Sequence, residues 1–398
     1  MNVPDVGDAM VEPAALEARP LFPVRERRIL LWVGVAAICW RWLEAVRSPL
    51  PSADACRDLW LAGRLGQGDV AALASAPAQP LWALLLAPAA ALHVDVFQVA
   101  QVLACVFGGL LVWPVAVAGQ KLREGAGVPA AILALAAAGA VGLAATGSAA
   151  PLLAFVAAAG VAAFVSGRWV LAALSASVAI AGGVDSLVGD CQVCSAPWHL
   201  AVDLRLGMGV AGALAVLSAL PPRPLRIVGL WLAAGTVLAL AFVFGASTRA
   251  VVIWSPIVIV LAGVGLARLP VRVRDVLLCG AVALDFYTAW HAVEPREAIV
   301  ERALGRYLQR QLAPGQQVVS DLPRVLYFAG QKPIAAGDAD ALLHRASAVN
   351  VASIVLDAVH ARQPTLTATL AGRFARYDLP HDLVDLVADR QLTVYGRR

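Results

Sequence analysis

Between residues 29 and 290, apolar runs of about 20 residues follow one another with only short polar breaks. A helix of that length, rising about 1.5 Å per residue, crosses a hydrocarbon layer of roughly 30 Å. A chain built this way must hide its apolar surface against itself or against lipid, and its composition points to lipid. Hydrophobic residues make up 60% of the 398 residues and charged residues 15%, whereas a water-soluble domain is about a quarter charged. The mean hydropathy is +0.75. The sequence therefore predicts a multi-span α-helical membrane protein. After residue 291 charges, turn residues and short apolar runs return, as expected of a water-exposed domain over 291–398.

The expected spans are 29–46, 97–119, 128–146, 150–166, 169–183, 204–220, 227–245, 250–269 and 276–290, about nine in all. With this count Arg25, Arg27, Arg28, Lys121, Arg123, Arg168, Arg223, Arg226, Arg268, Arg272 and Arg274 fall on one side, which the positive-inside rule makes cytoplasmic. The arm 1–28 is then cytoplasmic, while the loop 47–96 and the C-terminal domain are outside the cell's inner (plasma) membrane. No small-residue cleavage site follows the first run, which reads as a retained span. The run "PLWALLLAPAAAL" at 80–92 is short and contains Pro88, so it is expected to lie along the interface. The net charge of +4 is spread over the loops and reads as topological; no nucleic-acid partner is expected.

In 291–398 the runs "QQVVSD", "ASIVLDA", "FARYDL" and "LTVYG" read as strands, and "DADALLHRASAV" has helical spacing. A small α/β layer is the expected result. No Gly-rich loop follows a strand, so no nucleotide signature is present.

The outer loop contains "PSADACRDLWLAGRLGQGD", residues 51–69, a polar stretch in a greasy chain. Asp54 and Asp58 stand four apart and share a face if this segment is a helix, with Arg57 and Trp60 nearby. A carboxylate at a membrane surface, partly shielded from water, is suited to general-base work; solvated loop acids are the plain alternative. A second polar outer loop, 182–200, carries Asp185 and Asp190, candidate acidic partners for the first. It also holds Cys191 and Cys194 with His199. Three ligands fall short of a structural zinc site, which leaves a disulfide or free thiols. Cys39, Cys105 and Cys279 are expected as packing residues, and Cys56 as a free outer-loop thiol. Within the first span Arg41 and Glu44 can meet on one face; Asp285 is a further charge within a span.

The order of these pieces resembles the GT-C membrane glycosyltransferases, of the protein O-mannosyltransferase and aminoarabinose transferase type. "CWRWLEAV" leads to a loop opening with Asp54, then "LAGRLGQGD", "APAQPLWALLLAP" and a long span. Further on, "SGRWVLAALSASVAIAGG", "STRAVVIWSPIVIVLAGVGLARL" and the tail "YLQRQLAPGQQVVSDLPRVLYFAGQKPI" resemble the family's middle span, late span and external α/β domain. The resemblance implies transfer of a sugar from a polyprenyl-phosphate carrier in the bilayer to an acceptor, not named by the sequence, on the outer face. It casts Asp54 as the base and Arg249 as the holder of the lipid phosphate. No metal ligand is assigned and no cofactor is firmly implied, a divalent metal being the one open question. Ala55 stands where the family often has a second acid, and Cys56 and Arg57 where it often has aromatic residues. These departures keep a non-catalytic GT-C-like scaffold open as an alternative, and a transporter or lipid-handling protein as another.

Overall fold

The computed structural model describes residues 21–47, 50–75, 80–136, 145–175, 177–178, 248–291, 296–333, 339–348, 350–389 and 391–397. Helix α1 (Val24–Arg47) buries Leu30, Ala37, Arg41, Glu44 and Ala45, a stripe at helical spacing. Glu26 in its first turn and Arg47 in its last suit the helix dipole. Its remaining faces present Leu31, Trp32, Val35, Trp42 and Val46 outward.

Helix α2 (Ala53–Gly66) starts where the Ser52 hydroxyl accepts the Ala55 N–H at 3.1 Å. A short α3 (Ala72–Ser75) and then α4 (Pro80–Ala91) follow. Asp95 caps α5 (Val96–Leu110) by accepting the N–H groups of Phe97 and Gln98. The helix resumes after Leu111 as α6 (Val112–Leu122), followed by α7 (Gly127–Leu135) and α8 (Ala150–Val165). Residues 169–175 are also helical, and α9 (Thr248–Leu266) and α10 (Val271–His291) follow. Within the expected span 128–146, α7 ends at Leu135, where Ala136 bonds back to Ile132 and closes the last turn, and residues 137–144 lie outside the described residues. Spans 204–220 and 227–245 lie outside the described residues.

Among the described residues two helices, Val24–Arg47 and the continuous Val96–Leu122, are long and apolar enough to cross a membrane by length and composition. Pro80–Ala91, Ala150–Val165 and Ser255–Leu266 are shorter apolar helices. One core gathers residues of α1, α6, α7, α8, α9 and α10; a second gathers α2, α4, α5 and the start of α8. Small residues set the spacing. A Cβ on Gly263 would stand 2.5 Å from that of Ala130, so α9 and α7 meet nearly backbone to backbone.

The C-terminal part is α/β. Helix α11 (Arg296–Gln311) leads to β1 (Gln317–Ser320), α12 (Pro323–Phe328), α13 (Ala339–Ala346) and β2 (Val351–Leu356). Then come α14 (Ala358–Ala361), α15 (Pro364–Ala371), β3 (Phe374–Arg376), α16 (His381–Asp389) and β4 (Thr393–Arg397). The four strands form one sheet in the order β1-β2-β4-β3. β1 and β2 are parallel; β4 is antiparallel to both β2 and β3. Alternation along the strands feeds a core on each face: Val318, Val355 and Val394 on one, Val319, Ile354 and Leu356 on the other. All four stretches read as strands in the sequence contribute strands, and "DADALLHRASAV" contributes α13.

Candidate functional site

The C-terminal sheet is tied to the polar segment 50–66 through α12. Arg324 donates from Nε to the Pro51 carbonyl at 2.9 Å, and its Nη1 stands 3.4 Å from a Glu301 carboxylate oxygen. Glu301 is buried, so this ion pair is held away from water, where a charge pair weighs more than at the surface. Tyr327 packs into the core of α2, α4 and α5, and the Lys332 ammonium lies over the Trp60 ring, 5.4 Å from its centre.

Beside this junction runs an open groove of about 700 Å³. One wall is Leu59, Trp60, Gly63, Arg64 and Gln67 of the polar segment with Phe97 of α5; the other is Arg302, Arg306 and Gln309 of α11 with Tyr327 and Phe328. Arg306 stacks over Phe328 at 5.8 Å. Arg64 pairs with Asp69, and the Asp95 carboxylate is spent on capping α5. The guanidinium groups of Arg302 and Arg306 give the groove a positive wall, and its rings give it apolar faces. An anion with an apolar or sugar face matches both.

Asp54 lies in the first turn of α2, half-buried, with its carboxylate 3.9 Å from Nη1 of Arg57. The Arg57 Nε is buried with no hydrogen-bond partner among the described residues, so a donor stands ready in the same turn as Asp54. Asp58 is 1% exposed and faces the protein interior, so the two carboxylates do not open on one face to solvent. Neither lines the groove. Arg249 falls in the first turn of α9, and its side chain is outside the described residues. Asp185, Asp190, Cys191, Cys194 and His199 are outside them as well, as is the side chain of Asp285.

Burial pushes the Cys56 thiol up; Arg324 opposes this, while Glu301 and Asp54 add to it. Cys56 is free and fully buried, and with its proton held it is a packing residue rather than a nucleophile. Burial likewise pushes the Tyr327 phenol up, with Cys56 and Asp95 adding to it, so it serves as a neutral hydroxyl at the groove. Cys105 is buried as a packing residue, but Cys39 and Cys279 are exposed on the helices' outer faces.

Arg302, Arg306 and Arg324 were not singled out by sequence reading. Arg302 and Arg306 carry one signal, spacing: with Gln309 they recur at helical intervals on α11, a polar stripe that reads equally well as a solvated face. Compared with models of protein families and with curated proteins, the chain matches none.

Proposed function

We propose that this chain is a multi-span plasma-membrane glycosyltransferase of GT-C-like type, with its N-terminus cytoplasmic and its α/β part outside. On this reading it moves a sugar from a polyprenyl-phosphate carrier to an acceptor hydroxyl. The observation that carries the reading is the groove between the polar segment after α1 and the α/β part, with guanidinium groups and aromatic rings on facing walls. The helical part supports a lipid setting: Trp32 is 71% exposed, Val170 74% and Val276 71%, and such outward apolar surface is costly in water.

The chemistry asks little of the protein. As the acceptor oxygen bonds to the anomeric carbon, the bond from that carbon to the phosphate oxygen breaks. The acceptor's proton goes to the Asp54 carboxylate, and the negative charge stays on the departing polyprenyl phosphate. Guanidinium groups stabilise that charge in a partly dry groove. Asp54 precedes Trp60 by six residues on α2, about 9 Å along the axis, a distance that an extended donor headgroup and acceptor span together.

Saturable binding of polyprenyl phosphate to the purified protein in nanodiscs tests the reading. The double variant Arg302→Ala/Arg306→Ala is expected to weaken binding about tenfold or more, since each charge-assisted contact contributes about 1.5–3 kcal/mol. Equal binding by wild type and variant would remove the groove from the donor site. Asp54→Asn is expected to keep donor binding and to slow sugar transfer by at least about 100-fold. The readout is incorporation of radiolabelled sugar from a synthetic polyprenyl-phosphate donor into native membrane extract.

A second reading has its own observation. The Asp54 carboxylate is directed to Arg57 and lies off the groove wall, which favours a non-catalytic scaffold that keeps the groove for binding. Donor binding with transfer unaffected by Asp54→Asn would choose it.

A further inference from the structure

We propose that Asp321, Asp357 and His360 form a divalent-cation site at one end of the C-terminal sheet, separate from the groove and independent of the glycosyltransferase reading. The site follows from strand pairing. β1 and β2 are parallel neighbours, with Ser320 paired to Val355, so the residues leaving their carboxyl ends emerge side by side. Those residues are both aspartates, Asp321 directly after β1 and Asp357 directly after β2. Loops at the carboxyl ends of parallel strands converge in this way wherever such sheets carry sites. His360 follows in the single turn of α14, three residues after Asp357 and on its side of the helix.

The geometry is compact. The His360 Nδ1 stands 2.8 Å from Asp321 Oδ2 and 3.1 Å from Asp357 Oδ1, and one donor atom from each residue lies within 4.8 Å of the others. Around an ion with bonds of about 2.1 Å, adjacent ligand atoms stand about 3 Å apart, so the three donors already have the mutual spacing of neighbours in one coordination shell. The backbone holds them there. The Asp357 N–H donates to both Asp321 carboxylate oxygens, at 3.1 and 3.3 Å, and the His360 N–H donates to Asp357 Oδ1 at 2.8 Å. Such second contacts orient ligands before an ion arrives.

Charge and access agree with a cation. Two carboxylates meet a single imidazole, and the next basic side chain in sequence, Arg362, is directed to Gln391 at 2.8 Å instead. The Asp321 side chain is 4% exposed and that of His360 9%, while Asp357 at 28% leaves an opening to solvent. Two carboxylate oxygens and one imidazole nitrogen suit Mn²⁺ or Zn²⁺ better than Mg²⁺, which favours oxygen and water. An ion bound there clamps the β1 and β2 ends to α14.

Equilibrium dialysis of the full chain in detergent, stripped with chelator and titrated with Mn²⁺ or Zn²⁺, tests the site. One equivalent bound by wild type is expected, with a raised melting temperature for the α/β part. Asp357→Asn and His360→Gln, both outside the sheet's cores, are each expected to lower affinity at least tenfold; the more buried Asp321 is left intact to protect folding. The proposal is overturned by wild type that is folded yet binds no stoichiometric ion, or by binding that both variants retain unchanged. The first result would leave a hydrogen-bonded Asp–His–Asp cluster, and the second would put the ion elsewhere in the chain.

Discussion

Arg41→Ala is expected to lower the protein's stability by about 3–5 kcal/mol. The guanidinium is fully buried and donates from Nη1 to the Ala37 carbonyl at 3.1 Å and from Nη2 to the Ala134 carbonyl at 3.2 Å. Ala134 sits in the last turn of α7, where helix carbonyls run out of intrahelical donors, so Arg41 caps a helix 93 residues away. Truncation leaves that carbonyl without its donor, at about 1–3 kcal/mol, and opens a cavity in the core worth about 2 kcal/mol or more. Lysine restores the charge but not the fork that reaches two carbonyls, so Arg41→Lys should recover only part of the loss. Gly108→Ala probes the same spot from the other side. Its Cβ would stand 2.6 Å from Arg41 Nε, an overpacking that costs about 1–3 kcal/mol. Thermal unfolding in detergent, read with size-exclusion monodispersity, measures all three. An unchanged midpoint for Arg41→Ala would show that α7 needs no cap from α1.

Trp82→Ala should cost a similar amount, about 3–5 kcal/mol. Among the described residues Trp82 is the largest fully buried side chain, and it joins three pieces of chain that are distant in sequence. Its ring packs in the core of α2, α4 and α5 and meets Phe107 edge-on at 6.5 Å. Its Nε1–H donates to the Gly147 carbonyl at 3.2 Å, and Gly147 holds a left-handed turn at φ 72°. Trp82→Phe keeps most of the apolar contact but loses this bond, and should cost about 1–2 kcal/mol. Since α4 braces α2, Trp82→Ala should also blunt ligand binding in the groove, and Trp82→Phe should largely preserve it. Equal loss of binding in both variants would mean that Trp82 acts through its hydrogen bond rather than through packing.

The readable part of this protein was local. Apolar runs marked the helices α1, α5 with α6, α8, α9 and α10, because length and hydropathy are properties of a segment alone. β-Branched runs marked the strands for the same reason. Of the candidate site, Asp54 and Trp60 were found because they fall in a conspicuous polar stretch. Asp58 was paired with Asp54 by spacing, but the core of α2, α4 and α5 takes it inward. Arg302 and Arg306 were not singled out, since nothing in α11 reveals that α2 and α5 stand opposite.

Asp321 and Asp357 fall in two runs that read as strands, "QQVVSD" and "ASIVLDA", and were still not recognised as partners. Their meeting depends on β1 lying beside β2 in parallel while β4 takes β2's other edge, an order that the strands' own residues do not encode. Arg41 followed the same rule: its neighbours in α1 suggested Glu44, yet Glu44 pairs with Arg47 at 3.5 Å and Arg41 reaches α7. The sequence by itself determined which segments are helix or strand and which carry charge, because propensity and hydrophobic period act over a few residues. Only the tertiary structure decided which of those segments face one another, because a partner across a groove or a sheet is selected by packing of the whole chain.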